Sequence, residues 1–120
     1  MIRLTLPYPP SANTYYRNIT IRGSARTLIS SKGRKYAIDV AKLIGQVDPV
    51  DYRICLVVEV FPPDLRRRDL DNCCKGLLDS LTKAGVWTDD ELIDDLRVIR
   101  RDKVKGGQVV VHISEIRNEQ

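Results

Sequence analysis

The sequence predicts an α+β fold, a mixed β-sheet packed with two main α-helices. Two observations predict it: short stretches with the alternation or β-branched content of strands, and two longer segments whose apolar residues recur at helical spacing. A third sets its scale. With 120 residues, 42% hydrophobic and 30% charged, the chain reads as one globular domain, residues 1–120. A chain this long buries roughly 65% of the surface its unfolded form exposes, so a core alone can hold it.

Residues 2–6, Ile-Arg-Leu-Thr-Leu, alternate apolar and polar and read as a strand that stops at Pro7. Pro7, Pro9 and Pro10 fix φ and remove donors, which makes Pro7–Ser11 an extended loop. Residues 13–30 show no sustained period, and Gly23 with Ser24 suggests a hairpin-like excursion. Ser31 caps a first helix with Tyr36, Ala37, Val40, Leu43 and Ile44 on one stripe and Gly45 at its end. After a turn around Asp48-Pro49, residues 53–61 are rich in β-branched and apolar side chains, the mark of a buried central strand, and Pro62-Pro63 closes it.

The second helix can be checked by counting. Leu70, Cys73, Cys74, Leu77, Leu78, Leu81 and Ala84 form an apolar stripe, while Asp71, Lys75, Asp79 and Thr82 line the other side. Lys83 and Gly85 supply the cation and the stop expected at a helix C-terminus. Residues 95–103 and 108–116 read as two strands joined by a tight turn at Lys105-Gly106-Gly107.

Several function classes fall away. Cys55, Cys73 and Cys74 are odd in number, two of them adjacent, and the N-terminus lacks the basic and apolar regions of a signal peptide; a secreted disulfide framework is not expected. The thiols read as reduced core residues and the compartment as cytoplasmic. The longest uncharged run, Leu4–Tyr16, is broken by three prolines, so no membrane span is expected. There is no Gly-rich phosphate loop and no Gly-x-Ser-x-Gly elbow. His112 lies in a strand pattern and reads as a strand residue rather than a general base.

Net charge is +4, but residues 1–38 hold seven Lys or Arg and no acid. That stretch, which includes Arg17 and Lys32, fits a phosphate backbone, and it equally fits a solvated basic face. Arg66-Arg67-Arg68 runs straight into Asp69-Leu70-Asp71, and Asp89, Asp90, Glu91, Asp94 and Asp95 put five acids in seven positions. Acids so close repel one another; they are either an exposed turn and helix start or a site that a cation neutralises.

A lone Asp-x-Asp is weak in a chain with 12 aspartates. Its position strengthens it, since the pair opens a helix whose next inward polar residue is Lys75. In a regular helix two positions apart means roughly 200°, which forbids shared ligation. Asp69 must therefore precede the regular helix, in an extended conformation, if both carboxylates are to reach one cation. Acting as an N-cap is the other role open to it, worth about 1 kcal/mol. Hard carboxylate oxygens suit Mg²⁺, with Mn²⁺ as substitute, better than zinc. Such an ion lowers the pKa of a bound water and stabilises charge on phosphate oxygens, and Lys75 adds a fixed positive charge. Alternatively, Lys75 makes an ordinary pair with Asp71, worth under about 0.5 kcal/mol.

These residues resemble the RusA-type Holliday junction resolvases. The likeness rests on Leu-Pro-Tyr-Pro-Pro-Ser-Ala-Asn-Thr-Tyr-Tyr-Arg at 6–17 and Arg-Arg-Arg-Asp-Leu-Asp-Asn-Cys-Cys-Lys at 66–75. Leu-Thr-Lys-Ala-Gly-Val-Trp-Thr-Asp-Asp at 81–90 and Lys-Gly-Gly at 105–107 complete it. The resemblance implies a Mg²⁺-dependent homodimer that resolves four-way DNA junctions by paired, symmetric nicks in recombination and repair. By that likeness the catalytic residues are Asp69, Asp71, Asp90 and Lys75, the three aspartates holding the metal, with Asp89 ranked behind Asp90. Phosphate grip is expected from Arg17, Lys32, Arg66, Arg67 and Arg68. The adjacent Cys73-Cys74 departs from the family's usual residues there, on the core side of the helix. Leu77, Leu78, Leu81 and Trp87 are either core or dimer contact. Two other readings stand beside this one, a branched-DNA-binding module without catalysis and a metal-dependent hydrolase of nucleotides or RNA.

Overall fold

The computed structural model describes residues 1–116. Strands β1 (Ile2–Pro7), β4 (Ile54–Phe61), β5 (Ile93–Arg100) and β6 (Gln108–Glu115) form one mixed sheet in the order β1-β6-β4-β5. Strand β4 pairs antiparallel with β6 and parallel with β5, so it is central, as its β-branched sequence implies. A parallel pair needs a long crossover, and helix α3 (Cys74–Lys83) supplies it.

Along β4 the residues alternate: Cys55, Val57, Glu59 and Phe61 are half-exposed, and the other four, Ile54, Leu56, Val58 and Val60, are buried. Val109, Val111 and Ile113 of β6 lie on the same face as those four. Against that face pack Leu77 and Leu81 of α3 and Tyr36 and Val40 of α2 (Ser31–Ile44), with Trp87 closing the layer. Leu77, Leu81 and Trp87 are thus core residues and Leu78 packs half-buried beside them. Each fully buried leucine contributes about 1.5–3 kcal/mol over exposure. Trp87 places its indole N–H on Thr82 Oγ1 at 2.7 Å, so its one polar atom costs nothing by burial.

The expected α+β class and its mixed sheet are observed, and four local readings need correction. The strands after residue 93 are not hairpin neighbours: β5 and β6 lie on opposite sides of β4, and the turn at Lys105-Gly106 belongs to a connection that crosses the end of β4. Arg101 and Val104 donate their backbone N–H groups to Val60 O and Pro62 O along that crossing. Strand pairing is decided by distant partners, and turn residues do not show it. Second, Ser30 rather than Ser31 caps α2, its hydroxyl accepting from Gly33 N at 3.0 Å. Third, the second helix opens as a 3₁₀ turn, Leu70–Cys73, before α3 proper begins at Cys74. Fourth, of the three free thiols only Cys73 is in the core; Cys74 is half-buried beside it, and Cys55 sits half-exposed on the far face of β4.

Residues 12–29 hold a one-turn helix α1 (Ala12–Tyr15) and a hairpin of β2 (Tyr16–Ile21) and β3 (Ser24–Ile29). Arg22 and Gly23 both take positive φ at its tip, the geometry that matches strand twist in a two-residue turn. Most of the hairpin is exposed on both faces, which explains why no period marks it in the sequence. It is tied down at its base by Tyr15, which is fully buried. The backbone N–H of Ser30 donates to Tyr15 O at 2.8 Å.

Candidate active site

Beyond β4 the chain turns through Pro62-Pro63 and Asp64, and there an arginine becomes structural. Arg68 forks onto the Asp64 carboxylate at 2.6 and 3.1 Å and lies 5.9 Å over the Tyr8 ring. The Arg68 guanidinium, with the Arg66 backbone N–H, holds the Asp64 carboxyl down at about 2. A depressed native pKa contributes stability above the ordinary carboxylate value, and that contribution is lost as pH falls through the native one. Between about pH 4 and pH 2, Asp64→Asn should therefore flatten the fall in melting temperature seen in the parent. Identical slopes would mean that Asp64 carries no such load.

Asp69 follows directly. Its backbone is extended (φ −73°, ψ 136°) and its carbonyl accepts from Asn72 N at 3.2 Å, but its side chain makes no capping bond. Asp69 therefore does precede the regular helix in an extended form, and its carboxylate is not spent on capping. Asp71 is exposed in the 3₁₀ turn, and Lys75 stands exposed in the first turn of α3.

The acidic run at 89–95 is largely neutralised from within. Arg53, just before β4, pairs with Glu91 at 2.8 Å and with both oxygens of Asp94, and it donates to Glu91 O. The guanidinium holds the Asp94 carboxyl below its ordinary range. Asp95 faces Arg97 at 3.8 Å. Asp89 caps a second 3₁₀ turn, Asp90–Leu92, by accepting from Glu91 N at 2.9 Å. Asp89 and Asp90 are both outside these ion pairs. The Asp90 carboxyl is pushed above the ordinary value by desolvation and by Asp89.

Two residues that the sequence did not single out connect these pieces. Tyr16 donates its hydroxyl to Asp79, and the Lys75 ammonium lies 4.8 Å from the Tyr16 ring centroid. The Asp79 carboxyl is raised by desolvation and by the charge of Asp90. Asp79 was on the polar side of the counted helix, one turn beyond Lys75, and that spacing was the available signal. Tyr16 stands in the motif at 6–17, but no local spacing shows its contacts, since its partners lie some sixty residues away.

Lys75 and Asp79 thus stand one turn apart on α3, Asp71 precedes them in the 3₁₀ turn, and the charge of Asp90 acts on Asp79 from the adjoining turn. Among the described residues, no three His, Cys, Asp or Glu side chains come close enough to hold a metal ion. The structure brings Asp69 and Asp71 to the start of α3 and does not gather Asp90 with them into a ligand set. His112 faces Glu59 at 3.2 Å on the far side of the sheet, as a strand residue.

The basic residues flank this face in two grooves. One, of about 540 Å³, is lined by Tyr8, Asp69, Arg66, Arg68, Arg100 and Arg101 among others. Arg100 and Arg101 come from the run Arg-Arg-Asp-Lys at 100–103, a charge signal the sequence reading passed over. The second, of about 580 Å³, lies between the hairpin and α3 and is lined by Arg17 and Lys75 with Asn13, Asn18 and Thr27. Arg67 and Lys32 are exposed at neither groove's wall, Lys32 on the first turn of α2. Among the described residues no helix is long and apolar enough to cross a membrane.

The chain is similar in sequence to known proteins. The sequence profile described as Endodeoxyribonuclease RusA matches residues 7–114. The chain is 50% identical over 119 residues to a crossover junction endodeoxyribonuclease of Enterobacteria phage HK97, covering 95% of this chain and 94% of the relative. It is 43% identical over 123 residues to the crossover junction endodeoxyribonuclease RusA of Escherichia coli strain K12, covering 97% and 96% of the two chains. A relative of the same description from Enterobacteria phage 82 is 44% identical over 123 residues.

Proposed function

The chain belongs to the RusA family of endodeoxyribonucleases, and from that premise we propose that it resolves four-way DNA junctions by Mg²⁺-dependent phosphodiester hydrolysis. The nicks are paired and come from a homodimer, because opposed strands need two cuts and one small domain offers one site. The product belongs to recombination and repair, and the enzyme works in the cytoplasm.

The observation that carries the chemistry is the start of α3. Asp69 and Asp71 present carboxylates there with no ion-pair partner among the described residues, next to the exposed Lys75. Hard, uncommitted oxygens fit a divalent cation. Asp69, Asp71 and Asp90 are the residues that would hold it, although among the described residues no three such side chains stand close enough to share an ion. When bound, the ion supplies an activated water and charge stabilisation on the phosphate. Lys75 binds the scissile phosphate from the groove side and stabilises the charge that builds on its oxygens.

DNA grip comes from backbone phosphates, so recognition follows branch shape more than base sequence. Arg17, Arg66 and Arg67, with Lys32 on α2, reach phosphates; Arg68 joins them from its fork on Asp64. Arg67→Ala is expected to weaken binding to all DNA sequences and to flatten the salt dependence by about one phosphate contact, with little change in the bound rate. An unchanged salt slope would remove Arg67 from the contacts.

The deciding assay offers the protein a synthetic four-way junction, a linear duplex and a single strand, each with Mg²⁺ or with EDTA. Paired nicks confined to the junction with Mg²⁺ support the proposal. Binding without nicks would mean a non-catalytic module, and equal cutting of all three would mean a general nuclease.

A further inference from the structure

Lys75 has an acid one turn away on each side, Asp71 and Asp79, and either could neutralise it by an ordinary i, i+4 ion pair. Among the described residues it pairs with neither. Its ammonium rests instead against the face of Tyr16, and the hydroxyl of that same ring occupies Asp79. One side chain therefore holds the cation by its face and the rival anion by its edge.

Tyr16 is itself held firmly. Its ring lies 4.7 Å from that of Tyr15, whose hydroxyl shares a 2.9 Å hydrogen bond with the buried Ser80. The Tyr15 ring sits so close to Gly76 on α3 that a Cβ there would fall 2.7 Å from it. The open side of Lys75 is the groove it shares with Arg17 and Asn18.

We propose that Tyr16 is a positioning residue which keeps the Lys75 ammonium out of an ion pair with Asp79 and turned to the groove, available to a phosphodiester. This rests on the role given to Lys75 above. A lysine paired to a carboxylate on its own helix offers a phosphate less net charge and a displaced donor. Tyr16 prevents that pairing by engaging the competitor.

Tyr16→Phe tests it, because the ring stays and only the hydroxyl leaves Asp79. With Mg²⁺ and enzyme saturating a four-way junction, cutting is expected to slow roughly tenfold, the scale of a misplaced catalytic group. Junction affinity in EDTA and melting temperature should stay near the parent. Asp79→Asn alone should cut at near the parental rate, and the double variant Tyr16→Phe with Asp79→Asn should recover most of the loss, since the carboxylate that the missing hydroxyl would have released is no longer there to capture Lys75. A hydroxyl with only a structural role would not be rescued by removing a charge. A parental rate for Tyr16→Phe, or a double variant no faster than Tyr16→Phe, overturns the inference. Lys75→Ala, run alongside, separates the two layers: a parental rate there sinks the role of Lys75 itself, whereas an inactive Lys75→Ala beside an undiminished Tyr16→Phe removes only Tyr16.

Discussion

Asp71→Asn is expected to slow junction cutting by more than ~10³-fold, about 4 kcal/mol of barrier, while junction binding survives. The asparagine is nearly isosteric and touches none of the arginines, so the grip on phosphate is kept. What it removes is the charged oxygen that the proposed site would give to the metal, in the 3₁₀ turn that leads into α3, between Asp69 and Lys75 in sequence. Metal-free, the variant should melt no lower than the parent, because an exposed carboxylate without a cation contributes repulsion to its acidic neighbours. Added Mg²⁺ should raise the parent's melting temperature and not the variant's, by mass action on the native state. Full cutting by the variant in Mg²⁺ would falsify the assignment of Asp71.

Gly76→Ala, a conservative change on α3, is expected to be strongly destabilising. A Cβ at residue 76 would lie 2.7 Å from Tyr15 Cδ2, closer than real Cβ atoms come, and 3.0 Å from its Cγ. The Tyr15 ring is fully buried and tied to Ser80, so it cannot swing into solvent. Relief requires α3 and the α1–β2 corner to part, at about 1–3 kcal/mol for an overpacked core. Chemical denaturation at fixed pH would measure this. The accompanying loss of cutting should exceed the loss of folded protein, since moving Tyr15 moves Tyr16 and with it Lys75. A melting curve like the parent's would show the corner to be looser than the packing implies.

What the sequence discloses here follows the range of the interaction that decides each feature. Strand β4 and helix α3 are legible because their burial follows a period within the segment, Ile54 to Val60 by twos and Leu77 to Leu81 by a turn. The extended Asp69 was legible too, through the geometric conflict that a continuous helix would impose on it. The β2–β3 hairpin was not, because exposure on both faces leaves no apolar pattern, and its anchor is a single residue at its base. The order of β5 and β6 was hidden for a different reason, since both turn residues and strands were in place while their neighbour, β4, comes from forty residues earlier.

At the site the same division holds. Asp69, Asp71 and Lys75 are close in sequence, so spacing finds them. The acidic run at 89–95 is open to two readings in the sequence, an exposed turn or a cation site, because Arg53, which satisfies Glu91 and Asp94, is some forty positions away. Tyr16 and Asp79 meet across sixty-three residues, and only the fold discloses that contact.

The Arg53 clamp has a further effect on how the enzyme responds to its surroundings. It fastens the turn that carries Asp90 to the foot of β4, and it does so through side chains open to water. Dissolved ions weaken such a fastening over a Debye length of about 10 Å at 0.1 M, just as they weaken the hold on DNA. Ionic strength thus acts through two levers, one on docking and one on the tether of the acid proposed as a metal ligand, and turnover is expected to fade with added electrolyte more steeply than complex formation alone accounts for.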